Sequence, residues 1–259
     1  MTSDPMLVGQ VIDTPTAQEF TRLALEKVSK HDLGDIAALL TKKSAFFAAT
    51  FGRDTIDDLD EDVAMASLKY IFSTRRRANV ILTTLTLDGY KRAVRGLLYA
   101  DMPPGQRLEI FSDLIDGIGQ NVAERTGPDL GSEILHFTDP DRYWLWTRWM
   151  WNPSTGTGAL PLVVMEEIDL DGGTVAETYR RIGLAYAFLN DVGEAAGFRI
   201  EGYGVFGTDV FLASVYAVYM YTTLRMRMTQ EFNRIVPELA DLVQRLLGVN
   251  RVPAVAQVA

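Results

Sequence analysis

Side chains able to do chemistry are scarce in this sequence. There is no cysteine, and the two histidines are His31 and His136. Without thiols there can be no disulfide, no thiolate nucleophile and no cysteine-ligated zinc or iron–sulfur centre. The histidines lie too far apart in sequence to make a local ligand pair, so a histidine-rich metal site is not expected. A carboxylate di-iron centre of the usual Glu-x-x-His type is not expected, no matching motif being read. No metal and no cofactor are therefore expected. A Ser-His-Asp triad needs a histidine within reach of a nucleophile, and no Gly-x-Ser-x-Gly elbow is present. Both histidines read as structural: His136 at an apolar helix end, "SEILHF", and His31 as the partner of a helix C-terminus.

Two other patterns invite a ligand. "GYGVFG", Gly202 to Gly207, satisfies the Gly-x-Gly-x-x-Gly spacing, follows a short strand candidate, "FRIE", and precedes a helix. No strand–helix–strand series surrounds it, so a dinucleotide site is not expected. "NPSTGTG", Asn152 to Gly158, offers hydroxyls and flexible glycines to an anion but lacks the Gly-Lys-Ser/Thr ending of a phosphate loop. Loop-forming composition explains it better. The carboxylates Glu166, Glu167, Asp169 and Asp171 are dense, and Asp209 is the lone charge at the start of an apolar helix, where capping is the favoured role.

The sharpest feature is aromatic. All four tryptophans, Trp144, Trp146, Trp149 and Trp151, fall within eight residues, with Arg148 among them. Thr138-Asp139-Pro140-Asp141 has the form of a helix start, and Asn152-Pro153 that of a stop. The segment between is predicted to be a helix of about three turns. At about 100° per residue, Trp144 and Trp151 fall nearly on one line with Arg148 beside it, and Trp146 and Trp149 on the opposite side. Such a helix has little polar surface and must be covered, by the protein itself or by a partner. A core helix is the simpler reading. The functional one makes Trp144, Trp151 and Arg148 a docking surface or a pocket wall, since tryptophan and arginine dominate binding hot spots.

"SEILHFTDPDRYWLW", Ser132 to Trp146, resembles a segment of helix-hairpin-helix DNA glycosylase-like proteins, in which a Leu-His-Phe helix end leads into a Pro-Asp-Arg turn. The likeness covers fifteen residues. Where that family has an aspartate this chain has Thr147, and the lysine-bearing hairpin is not evident. The resemblance implies at most a catalytically silent base or nucleic-acid binder.

The elements that must position these residues are mostly helical. Composition is that of a globular chain, 47% hydrophobic and 23% charged. A net charge of −9 disfavours nucleic acid and anionic membranes. Thr16 to Glu19 reads as a capping box ahead of "FTRLALEKV". Leu33 to Phe51 is a helix stopping at Gly52. The acids from Asp54 to Asp62 precede a helix closed by Arg75, Arg76 and Arg77, an order that a helix dipole favours. Val80 to Leu87 continues as helix with a break near Asp88-Gly89, and Pro104 opens the next helix, which ends near Thr126. "LVVMEEIDLDGGT" suggests a short strand. A helix from Val175, a long apolar helix from Val205, and a last one opened by Pro237 complete the chain. The apolar stretch Val205 to Leu224 has the length of a membrane span but carries Asp209, so a core helix is expected.

The expected fold is thus mainly α, a compact multi-helix domain with at most a short β element, spanning 1–259 with a possible subdivision near 152–161. The N-terminus has no secretory pattern, and a cytoplasmic location is expected. The leading functional expectation is a non-catalytic accessory or adaptor protein that docks on a protein partner through the aromatic helix, with His136, Trp144, Trp146, Arg148, Trp149 and Trp151 as the binding residues. The alternative is an enzyme or small-ligand binder, taking a small planar ligand in an aromatic-lined pocket between helices. A glycosylase-like nucleic-acid binder is the third reading.

Overall fold

Asp13 and Asp60 each stand one residue ahead of a helix and take one of its orphan N–H groups, from Thr16 at 3.2 Å and from Val63 at 2.8 Å. In the computed structural model, residues 11–118, 126–199, 202–228, 238–251 and 253 are described, with the backbone alone for 224–228. In chain order the helices are α1 (Thr14–Leu25), α2 (Lys30–Phe51), α3 (Glu61–Tyr70), α4 (Ala78–Tyr99), α5 (Pro104–Asp116), α6 (Gly127–Thr138), α7 (Val175–Gly193), α8 (Gly207–Met228) and α9 (Leu239–Leu246). Among the described residues there is no strand, only isolated bridges between Ile12 and Val164 and between Asn152 and Thr157. The fold is mainly α.

Several local expectations change in detail. The capping box at Thr16 is displaced: α1 begins at Thr14, Thr16 bonds back to Asp13, and Glu19 pairs with Arg22 instead. His31 lies in the first turn of α2 rather than at a C-terminus, and pairs with Asp35 at 3.6 Å. The acids before α3 behave as the dipole requires, but the arginines do not close that helix. It ends at Tyr70 because Ile71 turns to extended geometry, so Arg75 and Arg76 fall in a turn and Arg77 precedes α4. The break in α4 falls at Thr86, whose φ of 63° and ψ of 165° interrupt the helix. Its hydroxyl accepts the Gly89 N–H at 3.3 Å, as a capping residue would, which restarts the helix.

The largest correction concerns Asp141 to Trp151. No helix forms there: Thr138-Asp139 ends α6 rather than starting a new one, and the chain runs on as turns and irregular backbone. Side chains of neighbouring helices take the backbone groups that a helix would have used. His136 bonds the Tyr143 carbonyl, Tyr179 the Trp144 carbonyl, and the Ser132 hydroxyl both the carbonyl and, at 3.1 Å, the N–H of Trp146. Backbone polar groups demand partners when buried, and here tertiary partners outcompete the local ladder.

The chain divides into two compact units. Unit 1 comprises Met1–Leu40, Arg148–Leu170 and Gly183–Asn250. In it α8 packs on α1 and α9, and the Asn152 to Gly158 loop folds back, with Ala159 and Leu160 donating to the Trp149 and Met150 carbonyls. Gly158 sits at φ +150°, where a methyl group would overlap the Met150 carbonyl, so no side chain fits. The region Gly204–Thr223 is long and apolar enough to cross a membrane and is 67% buried inside the protein. "GYGVFG" precedes α8 without a strand before it among the described residues. Ile200 and Glu201 of "FRIE", and Pro237, lie outside them.

Unit 2 comprises Thr41–Thr147, Asp171–Ile182 and Arg251–Ala259. Its centre is the stack of α4, α5 and α6 with α3 against α4. α5 and α6 approach closely at Gly131, where a methyl group would overlap Leu108 and Phe111. Phe46, Phe47, Phe51, Tyr70, Tyr90 and Phe137 form a continuous series of ring contacts through this core.

Candidate functional site

The residues singled out from sequence are divided between the units: His136, Trp144 and Trp146 belong to unit 2, and Arg148, Trp149 and Trp151 to unit 1. In unit 2, Trp144 is half-buried and stacks on Tyr179, with ring centroids 4.6 Å apart and planes 24° from parallel. Its indole N–H donates to the Tyr179 carbonyl at 2.8 Å while the Tyr179 hydroxyl donates to the Trp144 carbonyl at 3.0 Å. Burial pushes the Tyr179 hydroxyl pKa well up, so it remains a donor. Trp146 is buried beside them. His136 is fully buried, and its Nδ1, 2.8 Å from the Tyr143 carbonyl, must carry the proton, because a carbonyl can only accept.

In unit 1, Trp149 is buried with its ring 6.3 Å from that of Tyr216, and Trp151 is buried along a cavity edged by Asp13, Glu166, Glu167 and Asp169. Arg148 is exposed. The expected line of Trp144, Arg148 and Trp151 depended on a helix that is not there.

Unit 2 holds two arrangements that do involve unusual charge. The first is closed. Lys43, with no exposed surface, pairs at 2.7 Å with Glu133, which is 4% exposed. The ammonium lies 4.1 Å from the centre of the Phe137 ring and 5.5 Å from that of Tyr70. Burial raises the Glu133 pKa, and Lys43 beside it pulls the other way. Glu133 and His136 make one Glu-x-x-His, half of the di-iron pattern and passed over in the sequence. Here the lysine ammonium, not a metal, neutralises the carboxylate, and no group of three or more metal-ligating side chains gathers among the described residues.

The second is open. A cleft of about 590 Å³ is lined from the ends of four helices, all in unit 2: Arg53 just after α2, Tyr99 closing α4, Arg107 in α5, and Thr138, Arg142 and Tyr143 at and beyond the end of α6. Asp101 and Asp139 also face it. Arg107 is 4% exposed. It donates to the carbonyls of Leu97, at 2.8 Å, and Leu98, and to the Tyr143 hydroxyl at 3.1 Å. Its buried Nε–H and the buried Thr138 hydroxyl have no partner among the described residues.

Two guanidinium groups lie beside tyrosine rings at the cleft. The Arg53 guanidinium lies 4.5 Å from the centre of the Tyr99 ring, and that of Arg142 lies 5.4 Å from the centre of the Tyr143 ring. Burial lifts the Tyr99 hydroxyl pKa against the opposing pull of Arg53 and Arg95, so it stays protonated and donates to the Phe51 carbonyl. Pro104 places the start of α5 at the cleft, and that helix has no side-chain cap on its N-terminus, the end whose dipole favours negative charge.

Sequence reasoning missed this cleft because its residues are spread from Arg53 to Tyr143 and no two of its arginines share a motif. The one usable signal was Asp139-Pro140-Asp141-Arg142-Tyr143, quoted beside the tryptophans but taken as a helix start. Compared with known protein families, with curated proteins and with solved structures, the chain gives no match.

Proposed function

We propose that the protein is a small-ligand binder that takes an organic anion into the arginine–tyrosine cleft of unit 2. The observation that carries this reading is Arg107, a cation almost wholly removed from water, at a cleft that two further arginines also line. Guanidinium groups suit carboxylate and phosphate oxygens because their N–H groups form a rigid planar fork. A concave site with a few converging polar groups is where small ligands bind. Arg107 also has a structural task, closing the end of α4 through Leu97 and Leu98. That task does not involve Arg53 or Arg142, which form no ion pair among the described residues and lie on tyrosine rings at the mouth.

The cleft differs from the aromatic-lined pocket expected from the sequence: none of His136, Trp144, Trp146, Arg148, Trp149 and Trp151 lines it. A docking adaptor is the weaker reading. It called for an exposed aromatic helix, whereas Trp146, Trp149 and Trp151 are spent on the interior.

The test is calorimetric titration of the full chain with acetate, benzoate, citrate and inorganic phosphate at low and high salt. Saturable binding that weakens with salt and is lost in Arg53→Gln and Arg142→Gln is expected. Absence of binding by every carboxylate or phosphate tried, amino acids included, or equal binding by the variants, overturns the proposal.

A further inference from the structure

Resting on that anion-cleft reading, we infer that the ligand is a zwitterion of the amino-acid class, carrying a carboxylate and an ammonium on one small body. The cleft presents both signs of charge. Arg53, Arg107 and Arg142 line it together with Asp101 and Asp139, and among the described residues none of these five is ion-paired to another. A cleft serving an anion alone gains nothing from two carboxylates, since like charges in a recognition site cost affinity. Left facing the same cavity and unpaired, the two signs suit a molecule that supplies the missing partner to each.

The geometry also assigns the ends. Arg107 is almost fully buried and its surroundings are low in dielectric, so it receives the carboxylate, the group that gains most from a desolvated guanidinium. Asp139 is half-buried directly after α6, and its backbone carbonyl is fixed by the N–H groups of Arg142 at 3.2 Å and Tyr143 at 3.0 Å. Its side chain stands on a held backbone and receives the ammonium, with the more exposed Asp101 as a second acceptor. Tyr99 and Tyr143 also line the cleft and supply aromatic surface for an apolar or planar side chain. The cleft volume, about 590 Å³, accommodates such a molecule.

The experiment uses the full chain and calorimetric titration with L-tyrosine, L-phenylalanine, L-leucine and L-glutamine. Each is run beside the matching acid without its amino group and the matching amine without its carboxylate. At least one amino acid is expected to bind, with each truncation weakening it about tenfold or more, the factor that about 1.4 kcal/mol represents. Asp139→Asn should weaken the amino acid by a similar factor while leaving the amine-free acid unchanged or tighter, and Asp101→Asn should act in the same direction with a smaller effect. Thermal melting of both variants checks that the fold is intact. If the amine-free acid binds as tightly as the amino acid, or both aspartate variants bind the amino acid like the parent, the zwitterion inference falls and the anion cleft stands. If amino acids, acids and phosphate all fail to bind, the cleft reading falls with it.

Discussion

Lys43 and Arg107 are both almost fully buried cations beside aromatic rings in the same unit, yet their surroundings use charge in opposite ways. Lys43 meets the Glu133 carboxylate beside the rings of Phe47, Tyr70 and Phe137, and opposite charges face each other in the interior. Arg107 meets backbone carbonyls and a tyrosine hydroxyl, which carry no opposing charge, and it lines an open cleft. A buried charge is costly unless it is paired. Satisfied within the protein, it belongs to the fold. Where the compensation is by dipoles alone and the site is open, room remains for a charged ligand. Residue type is nearly the same in the two places, and the state of pairing tells them apart.

Breaking the closed pair has the largest expected effect. Lys43→Met leaves Glu133 buried without its hydrogen-bond partner and should cost about 3–5 kcal/mol of stability in urea unfolding. Lys43→Met with Glu133→Leu should recover most or all of that loss, since apolar replacement of a whole buried pair is often neutral or stabilising. If the double variant is as unstable as the single one, the pair is not the closed structural unit described here.

The same variant has a pH signature. In the parent, burial already raises the folded-state pKa of Glu133, and Lys43 holds it down. Removing Lys43 lets that pKa rise further. A carboxyl group whose folded pKa lies above its unfolded value destabilises the folded state when ionised, and the penalty disappears as pH falls through the folded pKa. The deficit of Lys43→Met should therefore be greatest at neutral and alkaline pH and should shrink on acidification, measured as the difference in unfolding free energy from the parent. A deficit that is constant with pH would mean the loss comes from packing around the lysine stem rather than from the charge.

The two regions were unequally legible in the sequence. The existence of the helices α2 to α5 followed from apolar period, prolines and glycines, which act within a few residues, but their ends did not: α3 stops at Tyr70 instead of running to the arginines, and α5 at Asp116 instead of near Thr126. Even there Thr86, not Gly89, interrupts α4, since a hydroxyl that can cap the next turn stabilises a restart at its own position. The tryptophan segment misled because proline and aspartate signals near Thr138 end one helix as readily as they begin another. The choice was made by Ser132, His136 and Tyr179 reaching over to its backbone. Lys43 carried no mark of burial among the neighbouring lysine and serine. The cleft left only the Asp139 to Tyr143 stretch as a local signal, because it exists only where the ends of α2, α4 and α6 meet the start of α5 in space.

Arg107→Met sharpens the contrast at a middle magnitude. It removes charged hydrogen bonds to Leu97, Leu98 and Tyr143, and should destabilise by about 2 kcal/mol. That is less than Lys43→Met, because the partners left behind are dipoles and not a stranded ion. Its binding defect should exceed what its stability loss explains: at a temperature where the variant is fully folded, affinity for the ligand is still lost.

Arg53→Gln and Arg142→Gln sit at the small end, and their smallness is what gives them value. Both side chains are exposed and lie on tyrosine rings, and neither makes an ion pair among the described residues. Exposed substitutions of this kind change stability by less than about 0.5 kcal/mol, and an exposed cation on a ring contributes about 0.5–1 kcal/mol at most. The melting temperature of each variant without ligand should therefore stay within a few degrees of the parent. The rise in melting temperature produced by a bound ligand should fall sharply in both, because that rise scales with affinity and not with the stability of the free protein. Arginines that served the fold would give the reverse, a lower melting temperature with the ligand-induced rise intact. The open cleft would then be a second structural cluster like that of Lys43, and the distinction between paired and unpaired charge would lose its meaning for this protein.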